Sequence, residues 1–407
     1  MKKPELLAPA GNFEKLKYAL HYGADAVYCA GERFGLRAKA DNFSQETLSE
    51  AVAYVHERNK KIYVTLNIIA HNADLEGLPE YVEELQELGI DGVIVADPGV
   101  FSVVREVAPE LKISVSTQAN NTNWRSVAFW HAQGAKRIVL ARELGLKEIQ
   151  EIREKVAPEM EIETFVHGAM CISYSGRCLL SHYMTGRNSN QGDCAHPCRW
   201  KYHLIEETRP DEAFSIEEDE TGSFIFNSKD LCLINEIPQL MIAGVNSFKI
   251  EGRMKSLYYV ATVVSAYRSA IDYCCANPTV THLEDGYYEE LTKVSHRNYT
   301  KGFFNGKTTA ADQNYGTSSY TRNYDFVGLV LAYDEQTRMA LIEQRNKVSI
   351  GDEIEIMIPG KGFFKQKIEA MTDQSGKAIE STPHPKMQYY LLMKEPVKPM
   401  DLLRKKD

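Results

Sequence analysis

Eight short apolar runs, spaced by amphipathic stretches, fill the first two-thirds of this 407-residue chain. They are ELLAPAG (5–11), DAVYCAG (25–31), KIYVTLNII (61–69), GVIVADP (92–98), KISVSTQAN (112–120), KRIVLARE (136–143), IETFVHG (162–168) and SFKIEGR (247–253). Their Val, Ile and Tyr content is that of strands buried in a parallel sheet. Between most of them lie helical patterns: NFEKLKYALHYG, SQETLSEAVAYVHERN, LEGLPEYVEELQELG and LKEIQEIREKV. Several begin at Ser or Asn and end at Gly or Asn, which are residues that cap helices. A strand–helix alternation repeated eight times within about 250 residues has the dimensions of a TIM-like (β/α)8 barrel, in the α/β class. The alternative, an open doubly wound sheet for a dinucleotide, loses ground because no G-x-G-x-x-G follows the first strand.

The seventh and eighth runs lie about 80 residues apart, far beyond an ordinary loop. This Cys-rich insertion, at about 169–246, also holds the acidic stretch IEEDETG (216–222). It leaves the barrel at the C-terminal end of a strand, where the active sites of such barrels form, so a small cap over that mouth is expected. LYYVATVVSAYRSAIDYCCANP (257–278) reads as the closing helix, placing the barrel over 1–278. Residues 279–324 read as a linker segment with some ordered pieces. From 325 to 407, short alternating runs with turns at DEQ, IGD and PGKG read as a small C-terminal β-barrel module. With 43% hydrophobic and 25% charged residues, the chain can build a sizeable core without staples.

Neither a signal peptide nor an apolar run long enough to span a membrane is legible, which points to the cytoplasm and away from a membrane partner. There, clustered cysteines bind metal or do redox chemistry more often than they form disulfides. A net charge of −9 argues against non-specific coating of nucleic acid but leaves room for a local basic patch.

Four of the eight cysteines, Cys171, Cys178, Cys194 and Cys198, follow the pattern C-x6-C-x15-C-x3-C. Four thiolates can close a tetrahedral zinc site or hold a 4Fe-4S cluster, and the spacing leaves both open, with unconnected core thiols as the plain alternative. Cys29, Cys232, Cys274 and Cys275 read as structural. Other candidates lie at or near the ends of the predicted strands. His167 stands four residues before Cys171, as a catalyst or as a satisfied structural histidine. Lys249, Glu251 and Arg253 alternate along the last strand and would share one face, where three charges need a ligand or one another. Asn67, Gln118 and Asn121 suit a base edge or a substrate hydroxyl, or loop backbone. Arg199 and Trp200, with Lys201, can take a phosphate and a stacked base, or form a solvated turn with Trp200 packed on the cap. Lys361, Lys365, Lys367 and the run Arg404, Lys405, Lys406 read as a solvated basic face.

ETFVHGAMCISYSGRCLLSHY (163–183) resembles the signature of peptidase family U32, the collagenase-like family of unassigned catalytic type. ELLAPAGNFEKLKYALHYGADAVYCAG and FKIEGRMKSLYYVATVVSAYR carry the same resemblance, which extends over nearly the whole chain. HGAMCISYSGRCLLS followed by NQGDCAHPCRWKY is most similar to the branch that hydroxylates the tRNA wobble uridine at carbon 5. The resemblance implies an oxygen-independent hydroxylase acting on tRNA, a 4Fe-4S cluster on the four matching cysteines, and prephenate as the oxygen source. Such a dicarboxylate needs cations to receive it, with Arg142, Lys249 and Arg253 as candidates. Assembly with itself or with a family relative is compatible with it. A peptidase, a hydroxylase of another RNA or ring substrate, and a non-catalytic cluster-bearing subunit remain the alternatives. For the first, the sequence holds neither H-E-x-x-H nor G-x-S-x-G.

Overall fold

The structure is a computed structural model that describes residues 3–35, 42–171, 174, 177–189, 193–200, 204–206, 209–214, 218–219, 222–223, 229–306 and 320–407. All eight expected strands form: β1 (Glu5–Pro9), β2 (Ala26–Cys29), β3 (Lys61–Leu66), β4 (Gly92–Val95), β5 (Ile113–Val115), β6 (Arg137–Val139), β7 (Glu161–Ala169) and β8 (Ser247–Ile250). They pair in chain order, all parallel, and β8 bonds to both β1 and β7, closing the barrel.

Around it run α1 (Phe13–His21), α2 (Gln45–His56), α3 (Leu78–Glu87), α4 (Pro98–Val107), α5 (Trp124–Ala132) and α6 (Leu146–Lys155). Their starts show why the sequence turns helical there. The Asn12, Ser44, Asp97 and Asn123 side chains each accept a backbone N–H of the first turn. One apolar face of each helix joins a continuous core with the outward faces of the strands. The insertion contributes α7 (Leu180–Thr185) and α8 (Ile237–Ile242), and α9 (Leu257–Ala276) closes the ring.

Two departures from the sequence expectation shape the upper mouth. A short strand, Asp230–Cys232, returns from the insertion and pairs antiparallel with the end of β7, opposite His167, Gly168 and Ala169. The described residues of the expected linker, 279–306 and 320–324, hold more order than a linker, and 279–306 pack onto the barrel. They form α10 (Gly286–Leu291) and a strand, Tyr299–Thr300, parallel to Asp230–Cys232, and they bury Leu283, Leu291, Val294 and Phe304 in the main core.

Residues 324–406 form an eight-stranded antiparallel sheet around a second core. Gln366, on one terminal strand, donates to Leu392 O (3.0 Å) and accepts from Lys394 N (2.9 Å), so the sheet rolls back on itself. Arg404 corrects the expectation of a solvated basic face. It is fully buried, paired with Glu290 of α10 and, at 2.7 Å, with Glu355. Lys405 pairs with Asp352 at 3.0 Å. Tyr22, just past α1, accepts from Leu402 N (3.1 Å) and donates to Met357 O (3.3 Å), tying this domain to the barrel.

Candidate functional site

The lower, N-terminal end of the barrel interior is a closed ion network. Arg137 of β6 donates through Nη1 to Glu5 of β1 (2.6 Å) and Glu163 of β7 (2.9 Å), and through Nε to Glu161 (2.7 Å). Ser247 of β8 donates to Glu163 at 3.0 Å. One layer up, Lys249 Nζ lies 3.2 Å from Glu163 and 4.5 Å from the Tyr28 ring centroid. Burial by itself would raise the Glu163 carboxyl, but Lys249 and Arg137 outweigh it and hold the pKa below the usual range. For Lys249 burial wins and lowers the ammonium, with Glu163 opposing. Lys249 thus joins Glu163 and Arg137 in one charge network.

The upper, C-terminal end is different. Along β3, Tyr63, Thr65 and the residue just past its end, Asn67, alternate onto the inner face. Two side chains from other strand ends meet there. Arg253, in the loop after β8, donates to Thr65 Oγ1 at 3.1 Å. Gln118, after β5, presents Oε1 to Asn67 Nδ2 and to the Ser116 hydroxyl (3.2 Å). Because β4 lies between β3 and β5, the Asn67–Gln118 bond spans the mouth above β4. Gln118 Nε2 and Asn121 Nδ2 are buried donors with no acceptor. Arg142, after β6, donates to Ala169 O (2.7 Å), and its guanidinium carbon lies 5.4 Å from the Phe165 centroid. The mouth is thus rich in donors and in positive charge.

Lys249, Glu251 and Arg253 do not share one face. The strand ends at Ile250, and Gly252 (φ +153°) turns the chain so that Arg253 folds over the mouth. Glu251 is half-buried; its N–H donates to His167 O (2.9 Å), and its own carbonyl accepts from Tyr259 (3.3 Å).

His167 does not face the mouth either. The register of β7 against β8 skips Val166, a bulge that pairs His167 with Ile250 and turns the ring outward. There it packs among Tyr259, Tyr267 and Tyr299, with centroids 5.9, 5.5 and 5.3 Å away. Burial first, then the charges of Lys255 and His296, push its pKa down to about 3, so it is a neutral ring. Gly168 beside it (φ +114°) is forced, because a Cβ would lie 2.7 Å from Glu251 Cβ.

The cap segment sits on this mouth. Arg177 Nε donates to Asn120, between Gln118 and Asn121, at 2.8 Å. Cys171, Cys178, Cys194 and Cys198 are all half-buried and flank α7. Ala195 N donates to Ser181 (2.9 Å) and Ser189 to Cys178 O, which fastens the second cysteine pair beside the first. Four thiols without a carboxylate are a donor set for a thiophilic group. Among the described residues, however, no three His, Cys, Asp or Glu side chains gather as metal ligands. As placed, the four thiols share a segment and not a coordination sphere. Trp200 is 42% exposed, and the Arg199 side chain lies outside the described residues. Cys29, Cys232 and Cys274 are buried, as structural thiols should be, and Cys275 is half-buried.

Sequence reading missed Thr65, Ser116 and Glu143. Alternation along β3 was the available signal for Thr65. Glu143, after β6, has a carboxyl raised by burial against the pull of Arg142, and its Oε2 is buried without a partner.

Residues 11–314 match peptidase family U32, and residues 322–404 match the peptidase family U32 C-terminal domain. Over 404 residues the chain is 46% identical to tRNA hydroxylation protein P1 of Bacillus subtilis, covering 99% of this chain and 95% of that protein. It is 40% identical to tRNA hydroxylation protein P of Escherichia coli, covering 94% and 92%. A more distant relative, at 30% identity and covering 99% and 98%, is named collagenase, from Porphyromonas gingivalis. With both its barrel and its β domain matched, the chain belongs to peptidase family U32.

Proposed function

We propose that this protein is a tRNA-modifying enzyme that hydroxylates wobble uridine at carbon 5 without molecular oxygen. The observation that carries this reading is the 46% identity, over 99% of the chain, to a protein named for tRNA hydroxylation. The mouth supports it chemically. Arg253 and Arg142 suit the carboxylates of a donor such as prephenate, and Asn67, Gln118 and Asn121 suit the polar edge of a base. Lys249 lies beneath them as part of the floor. Glu143, its carboxyl raised by burial against the pull of Arg142, is a further polar group of this end. Arg199 and Trp200 would take RNA phosphate and a stacked base.

We assign Cys171, Cys178, Cys194 and Cys198 as ligands of a 4Fe-4S cluster, with zinc as the alternative. When bound, such a cluster supplies an electron reservoir. This assignment requires the cap to draw the thiols closer than they stand here. Iron, sulfide and zinc analysis of anaerobically purified protein tests it, and one zinc with little iron would overturn it. We place the enzyme in the cytoplasm, alone or assembled with itself or a family relative; no helix among the described residues is long and apolar enough to cross a membrane.

Quantifying 5-hydroxyuridine in tRNA from a strain lacking this gene and any redundant relative tests the function. The modification should disappear, and an unchanged level would refute it. The collagenase relative favours a second reading, peptidase activity. Gelatin cleavage by pure protein, abolished by a single change at the mouth, would support that reading instead.

A further inference from the structure

We infer that Gln118 is the residue that distinguishes uracil from cytosine, by donating an N–H to the C4 carbonyl of the base. The inference rests on the tRNA reading above and adds the atom that sets base choice.

Gln118 is only 5% exposed, yet half of its amide is used and half is not. Its Oε1 accepts from Asn67 Nδ2 and from the Ser116 hydroxyl. That hydroxyl accepts the Gln118 backbone N–H at 3.3 Å and gives its own hydrogen to Oε1. The loop beneath is held as well, with Thr117 bonded to Leu140 O (3.1 Å) and Arg177 to Asn120 (2.8 Å). Nε2 is therefore a pre-oriented donor with no acceptor, and Asn121 Nδ2 in the same loop is another. A buried donor left unsatisfied costs about 1–3 kcal/mol, so this arrangement is one that a ligand oxygen completes.

The acceptor in question is an sp2 oxygen. Uracil presents carbonyls at C2 and C4, whereas cytosine replaces the C4 carbonyl with an amine that would face Nε2 donor to donor. A site built around one hydrogen bond rejects the analogue lacking it strongly, because its own polar group is then stranded. A carboxylate of the small co-substrate has the same acceptor chemistry, and the test separates the two sources.

Gln118→Glu keeps the shape and keeps an oxygen for Asn67 and Ser116, but replaces the donor with an acceptor. Full-length protein, wild type and Gln118→Glu, would be tested for binding to two tRNA transcripts that differ only in U or C at the wobble position, and to prephenate. The expected result is a wild-type preference for U that falls at least about tenfold in Gln118→Glu, with Tm retained and the preference partly recovered at acidic pH, where a protonated carboxyl can donate again. A U preference unchanged by the substitution overturns the inference. So does a loss confined to prephenate, which would give the donor to a carboxylate. Wild-type protein that binds tRNA without a U preference defeats the inference and leaves the tRNA reading standing. Wild-type protein that binds neither tRNA defeats that reading, and the inference with it.

Discussion

The two ends of one barrel interior handle polar groups in opposite ways. At the lower end, Arg137, Glu5, Glu161, Glu163, Ser247 and Lys249 answer one another, each charge within 3.2 Å of an opposite charge. At the upper end, Gln118 and Asn121 keep buried donors that nothing accepts. Both ends are polar, and both are assembled from strand termini. A completed network holds strands together, whereas an incomplete one asks for a ligand. Completeness of pairing, more than polarity, separates framework from site here.

The sharpest way to break this contrast is at the lower end. Arg137→Met would leave Glu163 with Lys249 as its one cation and Glu5 with Lys61 at 3.8 Å, and urea unfolding should show a loss of about 3–5 kcal/mol. A change below about 1 kcal/mol would mean that the network is not structural.

A second test concerns His167, which the structure assigns to framework. Its folded pKa, about 3, lies below its ordinary value of 6.5. The unfolded chain therefore takes up a proton that the folded one refuses, and stability falls as pH drops below about 6.5. Between about pH 6.5 and 5, above the ordinary carboxylate range, the loss should approach 2 kcal/mol. His167→Phe should flatten that slope, and an unaltered slope would return His167 to the list of solvent-facing groups.

The smallest effect is expected at Thr65. Thr65→Val removes the acceptor for Arg253 without changing shape, and stability should change by about 1 kcal/mol. Turnover should fall further than stability, since Arg253 loses one of the contacts that orient it. Equal, negligible changes in both would detach Thr65 from the site.

Much of this was legible in the sequence, for identifiable reasons. The eight strands announced themselves because parallel strands buried on both sides are near-continuous Val/Ile/Tyr runs. The place of Asn67, Gln118, Arg142 and Arg253 at the upper mouth was recoverable because the C-terminal ends of barrel strands follow from the strand runs themselves. The bulge at Val166 was not legible. It arises where β7 meets both β8 and the returning strand Asp230–Cys232, and it reversed the direction expected of His167. Nor was the burial of Arg404 legible, because its partners Glu290 and Glu355 come from other segments and only the fold unites them. Lys249 shows the same limit. Alternation placed it inward correctly but could not say which carboxylate it would meet.

On the proposed function, tRNA is hydroxylated at the donor-rich mouth. Arg253 tests it most directly, as the cation that folds over that mouth. In a strain without the chromosomal gene, plasmid-borne wild type and Arg253→Met would be compared by 5-hydroxyuridine content of tRNA, with Tm measured on both purified proteins. Wild type should restore the modification, and Arg253→Met, still folded, should restore about a tenth of it or less, the loss set by one charge-assisted contact of roughly 1.5–3 kcal/mol. Full restoration by Arg253→Met would contradict it.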